Sequence, residues 1–466
     1  MFRRQKVSQI FDSMKSLFQI SRQFFYFCCT ISLKMKRKTI LFALLLLSFT
    51  AWSQDTLTIM QYNLLYYGNY NSGFASCYES TNNTQHKDEC IRTILSYAKP
   101  DIFTVCEFGA TQALQDDFMR HNLNIFGVNY WQSDNIINYA HEDIVNHIFF
   151  DSRKLGLSKH VALHTSPRDT DIYELYLKTH SLVYGDTVKL VCIVAHPLAG
   201  TDGESSRYTQ MQAVMNYVSQ NYDTENVLIM GDFNVYGSSE NAYQVLTRTY
   251  SNTNALFIDP LANLGGVGEW NNSYQFARFH TQSTHAEDVP CFSSGGLDDR
   301  FDFILMSDEI KFSYKHLRYV PNSYKAIGND GYHFNQSINQ GYNYAVSSEL
   351  AQALYDCSDH LPVTMKLFTD VPGLGIDESE TPTLEASVAP NPANDAAWVH
   401  FFNPTEGEVQ FDLYTLQGQL LQRQSEHFDN GSQQYEMDLQ DVSEGFYLLR
   451  ISHSNGWGQT VKLIVR

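Results

Sequence analysis

Six short segments of this chain place a polar side chain at the end of a hydrophobic run: Asn63 in QYNLL, Glu107 in VCEF, His196 in VAHPLAG, Asp232 and Asn234 in GDFN, Asp302 in DRFDF, and Asp359-His360 in SDHLPV. Each stands where a buried strand would run out, so its side chain can reach a sheet rim without being buried unpaired. Taken singly, a lone Asp or Glu there is ordinarily solvated or caps a helix, and a lone His is ordinarily structural. Together they form an inventory. Carboxylates and an Asn amide are the hard oxygen donors that Mg²⁺ or Mn²⁺ prefers. Two histidines that titrate near neutrality can serve as general base and general acid, and a further carboxylate can orient one of them. These are the parts needed to hydrolyse a phosphate ester, with metal at the phosphoryl oxygens and an activated water in line.

The elements that must position them are legible. Strand-like runs occur at 57–65, 101–108, 146–151, 188–196, 226–233, 301–307 and 361–368, several as unbroken Val/Ile/Leu/Phe stretches suited to sheets covered on both faces. Between them lie helical stripes. Ile91, Ile94, Leu95 and Ala98 form one, ended by Pro100, and Met211, Val214, Met215 and Val218 form another. Strands alternating with helices imply sheet layers flanked by helices.

The ordered set YNLL, CEF, AHPLAG, GDFN, RFDF and SDHLPV resembles the endonuclease/exonuclease/phosphatase superfamily, to which DNase I belongs, over residues 57–368. GDFN and SDH in this order are its more specific parts. The resemblance implies a four-layer α/β/β/α sandwich, with Glu107 as the main ligand of Mg²⁺ or Mn²⁺, aided by Asn63 and Asp359. It implies that His360 acts on the attacking water while Asp302 holds its tautomer. Asp232 and Asn234 would position water and stabilise the phosphorane-like charge, and His196 would contact the scissile phosphate or assist the leaving group. Secreted relatives often read HLKAG where this chain has His196-Pro197-Leu198-Ala199-Gly200, so a basic residue is missing. Arg207 is the candidate substrate-binding replacement; a solvated position on a helix surface is the alternative.

Charge is unevenly spread. Residues 1–53 carry a net +8, residues 54–370 carry −17 and residues 371–466 carry −10. The acidic central part excludes a broad basic face and strong wrapping of nucleic acid by counterion release. Local phosphate contact through a bound cation remains open. Met35-Lys36-Arg37-Lys38, the apolar run at 40–49 and Ala51-Trp52-Ser53 read as a signal peptide, cut to leave Gln54 first. The run is too short to span a membrane. Because a signal normally begins a chain, the true start is expected at Met35, an amphipathic extension over 1–34 being the alternative. Export permits disulfides. Cys106 and Cys192, inside apolar runs, are expected as buried thiols. Cys77–Cys90 closes a short loop and is the favoured pair, which leaves Cys291 with Cys357. No CxxC or Cys/His cluster points to zinc.

Past Phe368 the texture changes. Residues 371–387 have Pro, Gly and acidic residues without periodicity, as a linker should. Short β-like runs then build a small all-β sandwich over 388–466. VAPNPANDAAWVHF, LYTLQGQLL, EGFYLLRI and the terminal KLIVR resemble the sorting domain of type IX secretion. That resemblance implies handling by the type IX machinery and a secreted or cell-surface location; a carbohydrate- or partner-binding sandwich is the alternative. The Asn- and Tyr-rich insertion at 320–357 is expected near the site rim by its position before SDH; an ordinary ordered loop is the favoured reading, and contact of Tyr332, His333 and Asn335 with a base or head group is the alternative. Trp131 and Trp270 are the catalytic-domain tryptophans in loop-like sequence, and neither lies in an apolar cluster fit to enter a bilayer.

The sequence therefore predicts a secreted, monomeric Mg²⁺/Mn²⁺-dependent phosphodiesterase acting on nucleic acid. A phospholipid or sphingomyelin phosphodiesterase, a phosphomonoesterase, and a non-catalytic surface binding protein are the alternatives.

Overall fold

The computed structural model describes residues 56–69, 77–178, 187–251, 253–371, 386–403, 405–416, 418–454 and 458–466. The signal expected over 1–53 and most of the expected linker, 372–385, lie outside them.

The unbroken apolar runs become the buried strands of two sheets. One sheet contains β1 (Thr56–Tyr67), β2 (Ile102–Gly109), β3 (Trp131–Gln132), β4 (Ile144–Asp151), β11 (Leu317–Tyr319), β12 (Lys325–Ala326) and β13 (Val363–Thr369). Its order is β11-β13-β1-β2-β4-β3, with β12 also on β13. The other contains β5 (Leu155–Leu163), β6 (Thr170–Leu177), β7 (Lys189–Ala195), β8 (Val227–Asp232), β9 (Phe257–Ile258) and β10 (Asp302–Ser307), in the order β5-β6-β7-β8-β10-β9. β1 and β2 pair in parallel, as do β7 and β8; the other pairs are antiparallel.

The sheets pack face to face. Ile59, Ile102 and Met365 from the first meet Leu175, Cys192 and Met230 from the second in one buried cluster. On the outer face of the first sheet lie α1 (Thr84–Ala98) and α6 (Ser348–Cys357), through Ile91, Ile94, Leu350 and Leu354. Between them in the chain come α2 (Gln112–Phe118), α3 (Glu204–Asn221), α4 (Asn241–Thr247) and α5 (Asp308–Phe312). The predicted stripe Met211, Val214, Met215 and Val218 of α3 covers the outer face of the second sheet together with α4. This is the expected helix–sheet–sheet–helix sandwich. Truncating one such core Leu or Ile to Ala typically costs about 2–5 kcal/mol.

β5 and β6 were not among the expected strands. Both alternate apolar with polar residues, such as Lys159, His160, Asp171 and Glu174, rather than forming a continuous apolar run. The tryptophans also differ from expectation. Trp131 lies in β3, and Trp270 is fully buried with Phe303 and Tyr243, so neither is free to enter a bilayer.

The C-terminal module is all β. β14 (Ser387–Ala389), β15 (Ala396–Asn403) and β18 (Gly431–Asp438) form one sheet. β16 (Gly407–Thr415), β17 (Leu420–Phe428), β19 (Gly445–His453) and β20 (Gly458–Val465) form the other. Val399, Phe401, Phe411, Leu449 and Ile451 fill its own core. No helix among the described residues is long and apolar enough to cross a membrane.

Candidate active site

The chemistry gathers at one end of the sandwich because of strand direction. β1, β2, β7 and β8 reach their C-terminal ends there, presenting Asn63, Glu107, His196 and Asp232. β10 runs antiparallel to β8, so its first residue, Asp302, pairs with Asp232. His360 precedes β13, which runs antiparallel to β1. These six residues, and Asn234 and Asp359 with them, are all buried.

Asn63 is the hub. Its Nδ2 donates to Glu107 Oε1 and to Asp232 Oδ2, both at 3.0 Å, while its Oδ1 accepts from Leu65 N at 2.9 Å. Glu107 Oε2 accepts from Tyr66 N at 3.2 Å. Three residues here take left-handed backbone conformations: Leu65 (φ 45°), Tyr66 (φ 50°) and Glu107 (φ 54°). Such positions cost about 1–3 kcal/mol each and persist only where the surroundings enforce them. The enforcement is visible. The fully buried Lys87 of α1 donates from Nζ to the carbonyls of Leu64 and Leu65, each at 2.7 Å. Asn82 donates to Leu65 O at 2.9 Å, and Ser358 Oγ to Asn63 O at 2.7 Å.

The glycine of GDFN has a steric cause. A Cβ on Gly231 would sit 1.8 Å from the Ala195 carbonyl oxygen, so only glycine lets β8 approach β7 just before Asp232. Asp232 Oδ1 accepts from Asn234 N at 3.0 Å, and Asn234 Nδ2 donates to Pro197 O at 3.3 Å.

His360 and His196 flank Asp232 Oδ2, with Nε2 atoms at 3.6 and 3.5 Å. His360 Nδ1 donates to Asp302 Oδ2 at 2.7 Å, an oxygen that also accepts from Thr281 Oγ1 at 2.8 Å. Burial opposes charge on His360, yet the carboxylates of Asp302, Asp232 and Asp359 hold it well above the usual histidine range. His196 goes the other way: burial, then Arg168 and His360, hold it well below, so it is neutral. Burial raises Asp232, Asp302 and Glu107 add to the rise, and His360 works against it. Burial likewise raises Glu107, reinforced by Asp359.

The donor set fits a divalent cation. Glu107 and Asp359 offer hard carboxylate oxygens, and Asp359 Oδ1 is buried without a hydrogen-bond partner; Asn63 Oδ1 accepts from Leu65 N, so its amide joins them as a ligand only on turning its oxygen to the cleft. Glu107 and Asp232, raised by burial and by neighbouring carboxylates, are groups a cation would hold in their charged forms. Glu107, His196 and Asp232 also bring one ligand atom each within 4.8 Å of one another.

The cleft over this floor has a volume of about 710 Å³. Sequence reasoning missed two residues that face it. Arg168, in a turn between β5 and β6, is the one Lys or Arg side chain of the lining among the described residues, and its Nη1 donates to His196 O at 3.3 Å. Its only sequence signal was an Arg beside Pro167 in a polar stretch. Gln282 Nε2 lies 2.8 Å from His360 Nε2 and 3.4 Å from Asp359 Oδ2. Its amide can serve either state of the ring: the NH₂ donates to neutral imidazole, and a 180° rotation brings Oε1 to accept from imidazolium.

Three expectations are corrected. Arg207 is fully buried, with its guanidinium on Glu240 Oε2 and on the carbonyls of Leu198 and Gly200. It braces the His196–Gly200 loop and does not line the cleft. The disulfide joins Cys77 to Cys291, while Cys90 and Cys357 are buried free thiols, like the expected Cys106 and Cys192. That bond, with Tyr66, Val289 and Phe292, makes an apolar wall of the cleft. The insertion at 320–357 does not supply the rim. His333 is tied to Asp330 and to Gln340 O, and Asn335 to Asn272, while Tyr332 is 69 % exposed outside the cleft lining.

Residues 387–466 match the family model described as a secretion system C-terminal sorting domain. A comparison with curated protein sequences found no match. Several solved structures align with about two thirds of the chain. D. rerio TDP2 complexed with single-strand DNA product is 14% identical, covering 67% of this chain and 99% of that one, with a TM-score of 0.42. An endonuclease/exonuclease/phosphatase from Bacteroides vulgatus is 13% identical, covering 68% and 100%, with a TM-score of 0.42. The human Nocturnin catalytic domain with bound sulfate is 14% identical, covering 68% and 98%, with a TM-score of 0.39.

Proposed function

With residues 387–466 as a sorting domain that directs the chain to the cell surface or beyond it, we propose that residues 54–370 are a metal-dependent phosphodiesterase of the endonuclease/exonuclease/phosphatase type, acting on nucleic acid outside the cell. The observation that carries the reading is the Asp302–His360–Asp232 arrangement. One carboxylate fixes the imidazole at 2.7 Å, and the other stands 3.6 Å from its free edge, beside the Glu107 carboxylate that Asn63 Nδ2 holds by a hydrogen bond.

A divalent cation held by Glu107, Asn63 and Asp359 would supply positive charge to the phosphoryl oxygens. The protein's own groups do the rest. His360, kept protonated by three carboxylates, presents Nε2–H to a phosphoryl oxygen as charge develops there. Asp232, whose affinity for a proton is raised, accepts the proton of the attacking water; Asn63 Nδ2 and Asn234 N hold its two oxygens. These directions favour Asp232 as the base over His360, to which the family resemblance gave the attacking water. Neutral His196 contacts the phosphate or the leaving oxygen, and Arg168, which donates to His196 O, reaches the phosphate beside it.

The lining sets Glu107, Asp232, Asp288 and Asp359 against a single cationic side chain. The protein therefore grips one phosphate at a time, and long-range attraction of a polyanion is weak. The test compares plasmid DNA, RNA, sphingomyelin vesicles and a phosphomonoester at matched Mg²⁺, with a chelator control. Metal-dependent cleavage of plasmid and RNA with little sequence preference is expected. Robust lipid or monoester hydrolysis with untouched plasmid replaces the nuclease reading by one of its rivals. Inertness of the metal-loaded protein toward all four removes the enzyme reading.

A further inference from the structure

Outside the cleft, α1 and α6 pack together, and one point of contact assembles three side chains of metal-binding type. His86 and Cys90 lie one turn apart on α1, on the same face. Asp356 stands near the end of α6. His86 Nε2 is 4.0 Å from Cys90 Sγ and 3.7 Å from Asp356 Oδ2. One donor atom from each of the three lies within 4.8 Å of the others. The sequence shows no zinc signature here because only two ligands are local, in HKDEC; the third comes from the far end of the domain.

We propose that His86, Cys90 and Asp356 bind a borderline divalent ion of the Zn²⁺ type, at a site separate from the oxygen-donor set of the cleft. Imidazole and thiolate together select such an ion over Mg²⁺ or Mn²⁺, and a carboxylate completes three protein ligands with water as the fourth. Zinc bonds of roughly 2.0–2.3 Å place tetrahedral donors about 3.3–3.6 Å apart. The separations of 4.0 and 3.7 Å thus need closure by a few tenths of an ångström. The His86 side chain is 55% exposed, which leaves it free to swing and leaves the ion a path in. Coordination ionises Cys90 and releases its proton to solvent; thiolate and carboxylate then neutralise the ion.

The site has a structural consequence for the cleft. The residues after Asp356 lead to Ser358, Asp359 and His360, and the residue after His86 is Lys87, which clamps the Leu64 and Leu65 carbonyls. An ion here ties together the two helices that hold the floor of the active site.

Co²⁺ is the probe, added to the full secreted protein with Mg²⁺ in excess. The expected result is a thiolate-to-cobalt charge-transfer band with tetrahedral d–d absorption, saturating at one equivalent, abolished by Zn²⁺, and a Tm that rises with Zn²⁺. Cys90→Ser removes the band, and His86→Ala weakens binding by at least about tenfold. Glu107→Gln leaves the band intact, which separates this site from the catalytic one. A wild-type protein that shows no thiolate band at saturating Co²⁺ overturns the proposal, as does a band that survives Cys90→Ser. The wild-type spectrum alone decides if a variant folds poorly.

Discussion

Asp302 and His360, 58 positions apart in the chain, meet as carboxylate Oδ2 and imidazole Nδ1 at 2.7 Å. The contact is built by two sheets at once. Asp302 opens β10 of one sheet, and His360 sits just before β13 of the other. The link between the sheets is therefore also the link that fixes the tautomer of the ring, leaving Nε2 to face Asp232 and the cleft.

His360→Ala should lower turnover by about 10²–10³-fold, the range for losing a donor to developing charge, while metal binding, read by calorimetry, stays near wild type. Asp302→Asn should cost less, because Thr281 still holds the side chain while an amide no longer stabilises imidazolium. Its mark is a changed pH–rate profile rather than a changed KM. Wild-type turnover by metal-loaded His360→Ala would remove this histidine from the mechanism.

The sequence carried the site further than it carried the rim. Asn63, Glu107, Asp232 and His360 follow apolar runs, and a polar residue at the end of a buried strand has few other places to go. Arg168 and Gln282 lie in polar turns, where nothing local separates a cleft residue from a solvated one. Cys77–Cys291 spans 214 positions, and pairing of that kind depends on chain topology rather than on spacing. The strands β5 and β6 were hidden because His160, Asp171 and Glu174 interrupt them, which breaks the apolar run used to find the others.

Arg168 and Arg207 separate two readings of the missing basic residue. Arg168→Ala should raise KM and cut kcat/KM by roughly 10–100-fold, the range for losing a charged hydrogen bond to phosphate, with Tm nearly unchanged. Arg207→Ala takes the ion-pair partner from the largely covered Glu240 carboxylate, which keeps only the Tyr236 N–H, and strips Leu198 O and Gly200 O of a donor. It should therefore act mainly on stability, by about 3–5 kcal/mol. A lowered Tm for Arg168→Ala with unchanged KM would reverse the assignment.

The Cys77–Cys291 bond joins positions 214 apart in the chain and carries one wall of the cleft. Cys77→Ser should destabilise the protein by about 2–5 kcal/mol, measured as a shift in the denaturant midpoint. Mild reduction of the wild type should give the same shift. The carboxylates and histidines sit on strand ends rather than on this wall, so turnover of the folded fraction should change less than KM. Equal midpoints for oxidised and reduced protein would show that the bond adds nothing to the fold.

Asp171 gives the stability of the domain an unusual pH slope. It sits on β6, buried, with Oδ1 3.1 Å from His160 Nε2; the far side of that ring, Nδ1, lies 3.1 Å from Asp134 Oδ2. Burial pushes its carboxyl up to about 6, and His160 only partly offsets this. In the unfolded chain the same group titrates near 3.9. Between about pH 4 and 6 the native state therefore holds more protons than the unfolded one, so this group's contribution falls as pH rises through that window. A shift of this size corresponds to at most about 3 kcal/mol. Asp298 and Asp299, also pushed up to about 6 by burial, act in the same direction. They are present in wild type and variant alike, so they cancel in a comparison. Asp171→Asn keeps the shape and an oxygen that accepts from His160, and it removes the proton equilibrium. Urea midpoints from pH 4 to 7 should fall less steeply for Asp171→Asn than for wild type, the two curves separating as pH rises. Parallel curves would mean that His160 holds Asp171 ionised throughout and that burial does not control this carboxylate.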